Sequence, residues 1–347
     1  MEIMSKLLRE QVLETITKYN LLESGDKIVL GVSGGPDSIS MLDIFYKLIK
    51  ENVYDIEIVV AHVNHGLREN AKLDEAYVAE YCKKRNIEHF IKHADIKGIA
   101  DTEKIGVEEA GRKIRYDFFE EVLNKVGANK VAIAHNQNDR VETIIMNLLR
   151  GSGLSGLKGI EPQMKHYIRP LIECDRSLIE QYAEEEKLNP RIDESNFENE
   201  YTRNKIRNIV LPYIKEEFNP NIVNTVLRLS DIVKEDLNFI NNEIKKEYLN
   251  VLVEEENLYT DDVYNDEKES IITLKLKEFN DLDIVLKKGI LFYTIEKIFG
   301  STKGIEKIHI EDMIKLAEKN IGNKYLTPNK KTKIVIKNKK IYIMSVK

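Results

Sequence analysis

The sequence predicts an α/β protein: a Rossmann-like, doubly wound parallel sheet, then a helical linker and a small α+β C-terminal domain. Three observations carry this. Short apolar runs alternate with helical periodicities over residues 27–149. The first run passes directly into a glycine-containing turn and then a helix. The 347 residues exceed a single domain of roughly 150, so two or three domains are expected.

Residues 6–22 place Leu7, Leu8, Val12, Ile16 and Tyr19 near helical spacing, and Gly25-Asp26 breaks the pattern. Residues 27–32 are almost continuously apolar, the mark of a strand buried on both faces. A turn spans residues 33–38 and a helix residues 39–50. Strands over 56–62, 88–93 and 130–135 then alternate with helices over 73–85, 107–126 and 139–149. That order implies a parallel sheet with right-handed crossovers. Residues 151–191 are looser, and residues 206–218 read as a helix that Pro212 must kink or restart. After Asn219-Pro220, apolar residues from Val226 to Ile244 recur every three or four positions, giving an amphipathic helix long enough to bridge two domains. The acidic stretch behind it is the expected linker. A strand over 271–276, helices over 282–299 and 309–319, and a hairpin pairing 332–336 with 340–344 complete the chain. The expected division is a nucleotide-binding domain over 1–215, a helical linker over 216–255 and a C-terminal domain over 256–347.

Composition narrows the function class. With 42% hydrophobic and 32% charged residues the chain is globular rather than disordered. Its apolar runs are too short to span a bilayer, and the N-terminus lacks a signal-peptide pattern. Cys82 and Cys174 form no CxxC pair, which argues against a structural zinc site or a disulfide framework. A cytoplasmic protein with no membrane partner is expected, and a homo-oligomer is left open. The net charge of -6 conceals an uneven distribution. Residues 231–269 are heavily acidic, whereas after Glu318 only lysines carry side-chain charge, from Lys319 to Lys347. That tail suits a phosphate-facing surface or a solvated lysine-rich hairpin.

The strongest chemical signal is Ser33-Gly34-Gly35-Pro36-Asp37-Ser38, between the first strand and its helix. Two glycines let backbone N–H groups approach an anion, the helix start adds a positive dipole end, and Ser33 and Ser38 offer hydroxyls. The turn lacks the Lys-Ser or Lys-Thr of a Walker loop. Asp37 repels phosphate, so it makes sense as a magnesium partner.

This hexapeptide resembles the pyrophosphate-binding loop of the N-type ATP pyrophosphatases. Further motifs are similar to the tRNA(Ile)-lysidine synthetase family: His62-Val-Asn-His-Gly-Leu-Arg68, Glu108-Glu-Ala-Gly-Arg-Lys-Ile-Arg-Tyr116 and Ala134-His-Asn-Gln-Asn-Asp-Arg-Val-Glu-Thr143. Arg150-Gly-Ser-Gly-Leu-Ser-Gly-Leu157, Arg169-Pro-Leu171, Asp193-Glu-Ser-Asn196 and Arg203-Asn-Lys-Ile-Arg207 extend the match in order over residues 27–215. The resemblance implies that ATP adenylates the C2 oxygen of the wobble cytidine of an isoleucine tRNA. Pyrophosphate leaves, and the amine of L-lysine displaces AMP to give lysidine. ATP and Mg2+ are the implied cofactors, and tRNA(Ile) and L-lysine the partners. Ser33 to Ser38, His62 and Arg112 would bind ATP.

The residue types suit that chemistry. Arg112 and Arg115 share one helix face and can grip phosphate, or else form a solvated basic face. Asp139 and Glu142 also lie three apart; they could hold the lysine ammonium, bind magnesium or take a proton from the amine, or simply complement the helix dipole. Asp37, Arg112, Arg115, Asp139 and Glu142 are thus the expected catalytic set. His135 ends a strand and reads more readily as a hydrogen-bonded structural residue, whereas His62 and His65 flank a strand end in the same layer and are expected to shape the adenosine pocket rather than bind metal. Arg203, Lys205 and Arg207 form a basic cluster suited to tRNA phosphates, with Arg203 and Arg207 on one face, unless Arg207 pairs with a carboxylate at the domain junction.

Two departures from the family pattern stand out. Asn138 occupies a position where the family often has aspartate. Many members also carry a further C-terminal domain, while this sequence resembles only the first, whose residues 305–347 would contact the tRNA acceptor arm. Two other readings compete. A tRNA sulfur-transfer enzyme would need reactive cysteines, and a non-catalytic, nucleotide-dependent RNA-binding protein would tolerate a degenerate turn.

Overall fold

Val29 and Leu30 have no accessible surface, and their strand is covered on both sides. This strand, β1 (Lys27–Gly31), is the centre of a six-stranded sheet. The computed structural model describes residues 2–66, 71–191, 201–256, 270–319, 324–329 and 331–346. They fall into two compact units, residues 1–233 and 234–347.

In the first unit the elements run α1 (Glu2–Lys18), β1, α2 (Pro36–Lys50), β2 (Glu57–Asn64), α3 (Ala71–Arg85), β3 (Glu88–His93), α4 (Ile96–Glu103), α5 (Val107–Val126), β4 (Lys130–Ile133), α6 (Gln137–Leu149) and α7 (Gly153–Leu157). Then come β5 (Gln163–Met164), β6 (Tyr167–Ile168), α8 (Arg176–Glu185), α9 (Thr202–Lys205) and α10 (Leu211–Glu217). The strand order is β3-β2-β1-β4-β6-β5, parallel except for β5 against β6. The chain winds outward through β2 and β3, then returns to the other side of β1 through β4. The carboxyl ends of β1 and β4 therefore flank a switch point, where such sheets bind ligands.

Alternation along β1 sends Ile28 and Leu30 to a core with α1, α2, α3 and α8, and Val29 to one with α4 and α5. Gly31 is needed for closeness: a Cβ there would lie 2.5 Å from the Phe119 ring of α5. One buried carboxylate joins three helices. Asp43 of α2 accepts from Tyr81 of α3 at 2.6 Å and Tyr182 of α8 at 2.7 Å, and pairs with Lys47 at 2.9 Å.

Before α10 the backbone is π-helical over Ile206–Val210, and Pro212 sits in the first turn of α10. The backbone stays helical from Thr202 to Glu217, and the π-helical turn directly before Pro212 takes up the ladder bond that its missing N–H cannot make.

A helix α11 (Ile222–Val251) carries the unit boundary within it. The second unit holds an antiparallel sheet ordered β7 (Leu252–Glu256), β8 (Ile271–Lys275), β11 (Lys340–Ser345), β10 (Thr332–Lys337), β9 (Lys324–Asn329). With it are α12 (Leu276–Asn280), α13 (Ile284–Phe299) and α14 (Lys307–Glu318). The hairpin turns on Asn338 and Lys339, both at positive φ (50° and 61°), the two-residue geometry that matches strand twist. The glutamates Glu254 to Glu256, expected in a linker, instead belong to the edge strand β7. Charges on an edge are compatible with a strand because one side has no neighbour to repel. No described helix is long and apolar enough to cross a membrane.

Burial would raise the pKa of Asp43, but Tyr81, Lys47 and Tyr182 outweigh it and hold it below the ordinary value. Its contribution to stability is therefore present above the unfolded carboxylate pKa of about 3.9 and lost as pH falls through the lower folded value. Asp43→Asn is expected to destabilise by about 2–4 kcal/mol at pH 7. Its deficit against the parent should shrink in melts taken progressively below about pH 4.

Candidate active site

The turn after β1 is organised by its serines. The Ser33 N–H donates to Ser38 Oγ at 3.1 Å, and Ser38 Oγ donates to the Gly35 carbonyl at 3.1 Å. Gly34 has φ +95°, which L side chains rarely adopt, whereas Gly35 is extended at φ -77° and caps α2 without a side-chain bond. A Cβ on Gly34 would point at Asp74 and Val78 of α3. Gly34 therefore supplies the turn, and Gly35 leaves space beside it. The Gly34 carbonyl accepts the Arg191 N–H at 3.0 Å.

Asn136, 1% exposed, links this turn to α6. Its amide donates to Asp37 at 2.9 Å, while its Oδ1 accepts the Asp139 N–H at 3.1 Å and Asp139 Oδ2 accepts the Asn136 N–H at 3.0 Å. Burial, followed by the negative charge of Asp139, raises the Asp37 pKa to about 6. Asn138 Oδ1 lies 3.4 Å from the Arg176 N–H.

Glu142 on α6 is 1% exposed. Arg207 Nε donates to its Oε1 at 2.6 Å and Arg203 Nε to its Oε2 at 3.0 Å; Arg207 also reaches Asp139 Oδ1 at 3.0 Å. Burial would raise the pKa of Asp139, but Arg203 and Arg207, with the Asn136 N–H, hold it down. The sequence treats these residues as two clusters, carboxylates for lysine and arginines for tRNA, with a carboxylate partner for Arg207 as the alternative. The structure corrects that separation: the four form one ion network, and of the proposed tRNA contacts Lys205 alone has an exposed side chain.

Arg112 and Arg115 lie on α5 with exposed side chains, and Arg112 sits 5.1 Å over the Tyr116 ring. His135 lies just past β4, and burial together with Arg169, Arg203 and Arg112 pushes its pKa down to about 3 against the pull of Asp139. Arg169, 3% exposed, donates to His135 Nδ1 at 3.2 Å. Sequence reasoning gave Arg169 and Asn136 no role, although both stand inside quoted motifs. An arginine directly before a proline was the available signal for the first.

His62, 2% exposed at the end of β2, donates Nδ1–H to the Val32 carbonyl at 2.8 Å. Its Nε2 is a buried acceptor with no partner among the described residues, and burial lowers its pKa. His65 lines a cavity of about 400 Å³ with Asn64, His93 and Lys97 at the ends of β2 and β3. Arg68 and the Asp193 to Asn196 motif lie outside the described residues.

Comparison with known proteins matches this arrangement. Residues 4–214 fit the model of the PP-loop domain. Over 344 residues the chain is 38% identical to a tRNA(Ile)-lysidine synthase of Clostridioides difficile, covering 96% of this chain and 71% of the relative. Over 320 residues it is 42% identical to that of Clostridium acetobutylicum, covering 92% and 66%. The chain belongs to the tRNA(Ile)-lysidine synthase family. It spans about two thirds to seven tenths of the length of these relatives. The solved U34-tRNA thiolase NcsA from Methanococcus maripaludis shares the fold at a TM-score of 0.57 and 19% identity, covering 67% of this chain and 81% of that one.

The turn residues Ser33 to Ser38 follow the carboxyl end of β1, within the matched PP-loop domain. Asp37 fits a magnesium partner, since its carboxylate lies beside a second one and, among the described residues, is bound by one amide.

Because the folded pKa of Asp37 is raised, its effect on stability runs opposite to that of Asp43: the ionised form costs stability once pH exceeds the folded value. Asp37→Asn is expected to stabilise the ligand-free protein by about 1–3 kcal/mol at pH 8. The gain should fade below pH 6. Calorimetry across this range checks it, and a destabilised variant at pH 8 would refute the assignment.

Proposed function

We propose that the protein ligates L-lysine to C2 of the wobble cytidine of tRNA(Ile), using ATP and Mg2+, and that it does so in the cytoplasm. The observation that carries this is the bridge made by Asn136. It joins the phosphate-type turn at Asp37 to the acidic network of Asp139 and Glu142, which supports reading an adenylating centre beside an amine-binding one.

In the first step the cytidine C2 oxygen attacks the α-phosphorus of ATP. A new P–O bond forms, the α–β bridge breaks, and pyrophosphate leaves with its electron pair. The N–H groups of the turn and the side chains of Ser33 and Ser38 orient the phosphates, and Arg112 and Arg115 stabilise the charge that develops. Magnesium held at Asp37 would neutralise charge on the departing pyrophosphate. In the second step the lysine amine forms the C2–N bond, the C2–O bond breaks, and AMP departs. Asp139 and Glu142 attract the ammonium and accept the proton released. The exposed Lys205 is the better placed of the basic residues to meet a tRNA phosphate.

The sulfur-transfer reading loses support at both cysteines. Cys82 and Cys174 are buried, and burial pushes each thiol up to about 12, away from thiolate chemistry.

Labelled lysine and ATP, incubated with tRNA(Ile) carrying a cytidine wobble base, should give tRNA-bound lysine and AMP together. AMP production independent of lysine-accepting tRNA would overturn the proposal. A Gly35→Val variant tests the cradle, because its Cβ meets nothing closer than Ser33 Oγ at 3.6 Å and its φ suits any residue. It should fold normally yet lose ATP affinity by about tenfold or more, a difference of at least about 1.4 kcal/mol. Gly34→Val should instead lower the melting temperature, since its backbone is strained.

A further inference from the structure

We infer that His135 acts as a neutral hydrogen-bond donor, through Nε2–H, to a phosphoryl oxygen of the nucleotide, and that Arg169 is the positioning residue that fixes this tautomer. The inference rests on the reading of the cleft as an ATP site. Arg169 is itself immobilised: its Nη1 donates to the Glu161 carbonyl at 2.7 Å and its backbone N–H to the Pro162 carbonyl at 2.9 Å. Its Nε–H meets His135 Nδ1 at 3.2 Å. A guanidinium has donors and no acceptor, so Nδ1 must present its lone pair. The single proton of the neutral ring then lies on Nε2.

The surroundings keep the ring neutral. Arg169 after β6, Arg203 on α9 and Arg112 on α5 all act on it with positive charge, and Asp139 on α6 is the opposing carboxylate. Taking a further proton would set an imidazolium N–H against the Arg169 N–H. His135 is therefore unsuited to be the base for the lysine amine. An N–H amid guanidiniums, beside the β1–β4 switch point, is suited to an anion, and the anion the reaction brings there is phosphate.

Nitrogen NMR of histidine-labelled protein reads the tautomer directly and needs no variant: His135 should carry its proton on Nε2 and not titrate between pH 5 and 8, the ordinary histidine range. Kinetics supply the second arm. His135→Gln keeps an N–H donor and should retain AMP-forming kcat within about tenfold, whereas His135→Phe should lose about 100-fold or more while still binding ATP. Arg169→Met should release the ring to titrate, adding a further ionisation to the acid side of the pH–rate profile beyond those of the parent, and Arg169→Met/His135→Gln should remove it. An Nδ1–H tautomer or a titrating His135 in the parent overturns the inference. So does a Gln variant as inactive as the Phe variant. A parent that makes no tRNA-dependent AMP would instead defeat the ATP-ligase reading, and the tautomer measurement would still stand by itself.

Discussion

A carboxylate at the foot of a cleft with 1% of its surface exposed is costly unless cations meet it, and the catalytic half of the molecule is arranged around that need. Glu142 lies on α6, while Arg203 and Arg207 come from a segment more than sixty positions later. Both guanidiniums reach α6, and the π-helical turn that contains Arg207 adds its own phase to the approach. Asp139 shares Arg207 and also closes the capping box of α6 with Asn136. Asn136 then holds Asp37. From Glu142 to the phosphate-type turn, one chain of hydrogen bonds fixes α6, α2 and the 201–210 segment to one another. Loss of any member leaves a buried charge short of a partner, so each position is constrained by the others.

Asp37 is the member least satisfied. Buried, and repelled by Asp139, it is held by one amide where Asp139 and Glu142 have guanidiniums. Such local conflict is what a site looks like before its ligand arrives. The Asp43 carboxylate offers the contrast within the same helix. It has two tyrosine hydroxyls and a lysine, so its pKa falls where that of Asp37 rises. Two aspartates six positions apart on α2 thus differ in sign of shift solely through their partners, one built for stability and the other for use.

The sheet was legible because its signals are local. An apolar run followed by Ser33-Gly34-Gly35 specifies a buried strand and a turn without reference to anything distant, and the helices of the first unit follow from their own periods. What stayed hidden depends on contacts across long separations. Asp139 with Arg207, and His135 with Arg169, are pairs that no periodicity announces. Sequence spacing put carboxylates and arginines in separate roles, and only the fold brings them within hydrogen-bond distance. The two glycines of the turn likewise look equivalent in sequence, yet one has φ +95° and the other is extended. The edge strand β7 was obscured by its three glutamates, because composition there speaks for solvent and pairing with β8 decides otherwise.

The distribution of unmatched charge states what the cleft is ready to receive. Glu142 and Asp139 already face Arg203 and Arg207, so that part of the site is close to neutral. What remains among the described residues is of both signs: Asp37 on one side, and Arg112 and Arg115, with the N–H of the neutral His135 beside them, on the other. A simple anion would relieve the arginines and aggravate Asp37, and a simple cation would do the reverse. A polyphosphate that carries its own divalent ion presents both charges in one ligand, the ion toward the carboxylate and the oxygens toward the guanidiniums. Under the proposed reaction, an amine that reached Asp139 and Glu142 would have to share or displace a guanidinium, because arginine does not yield by losing its proton. The free energy for that movement would then have to come from contacts that the substrates make.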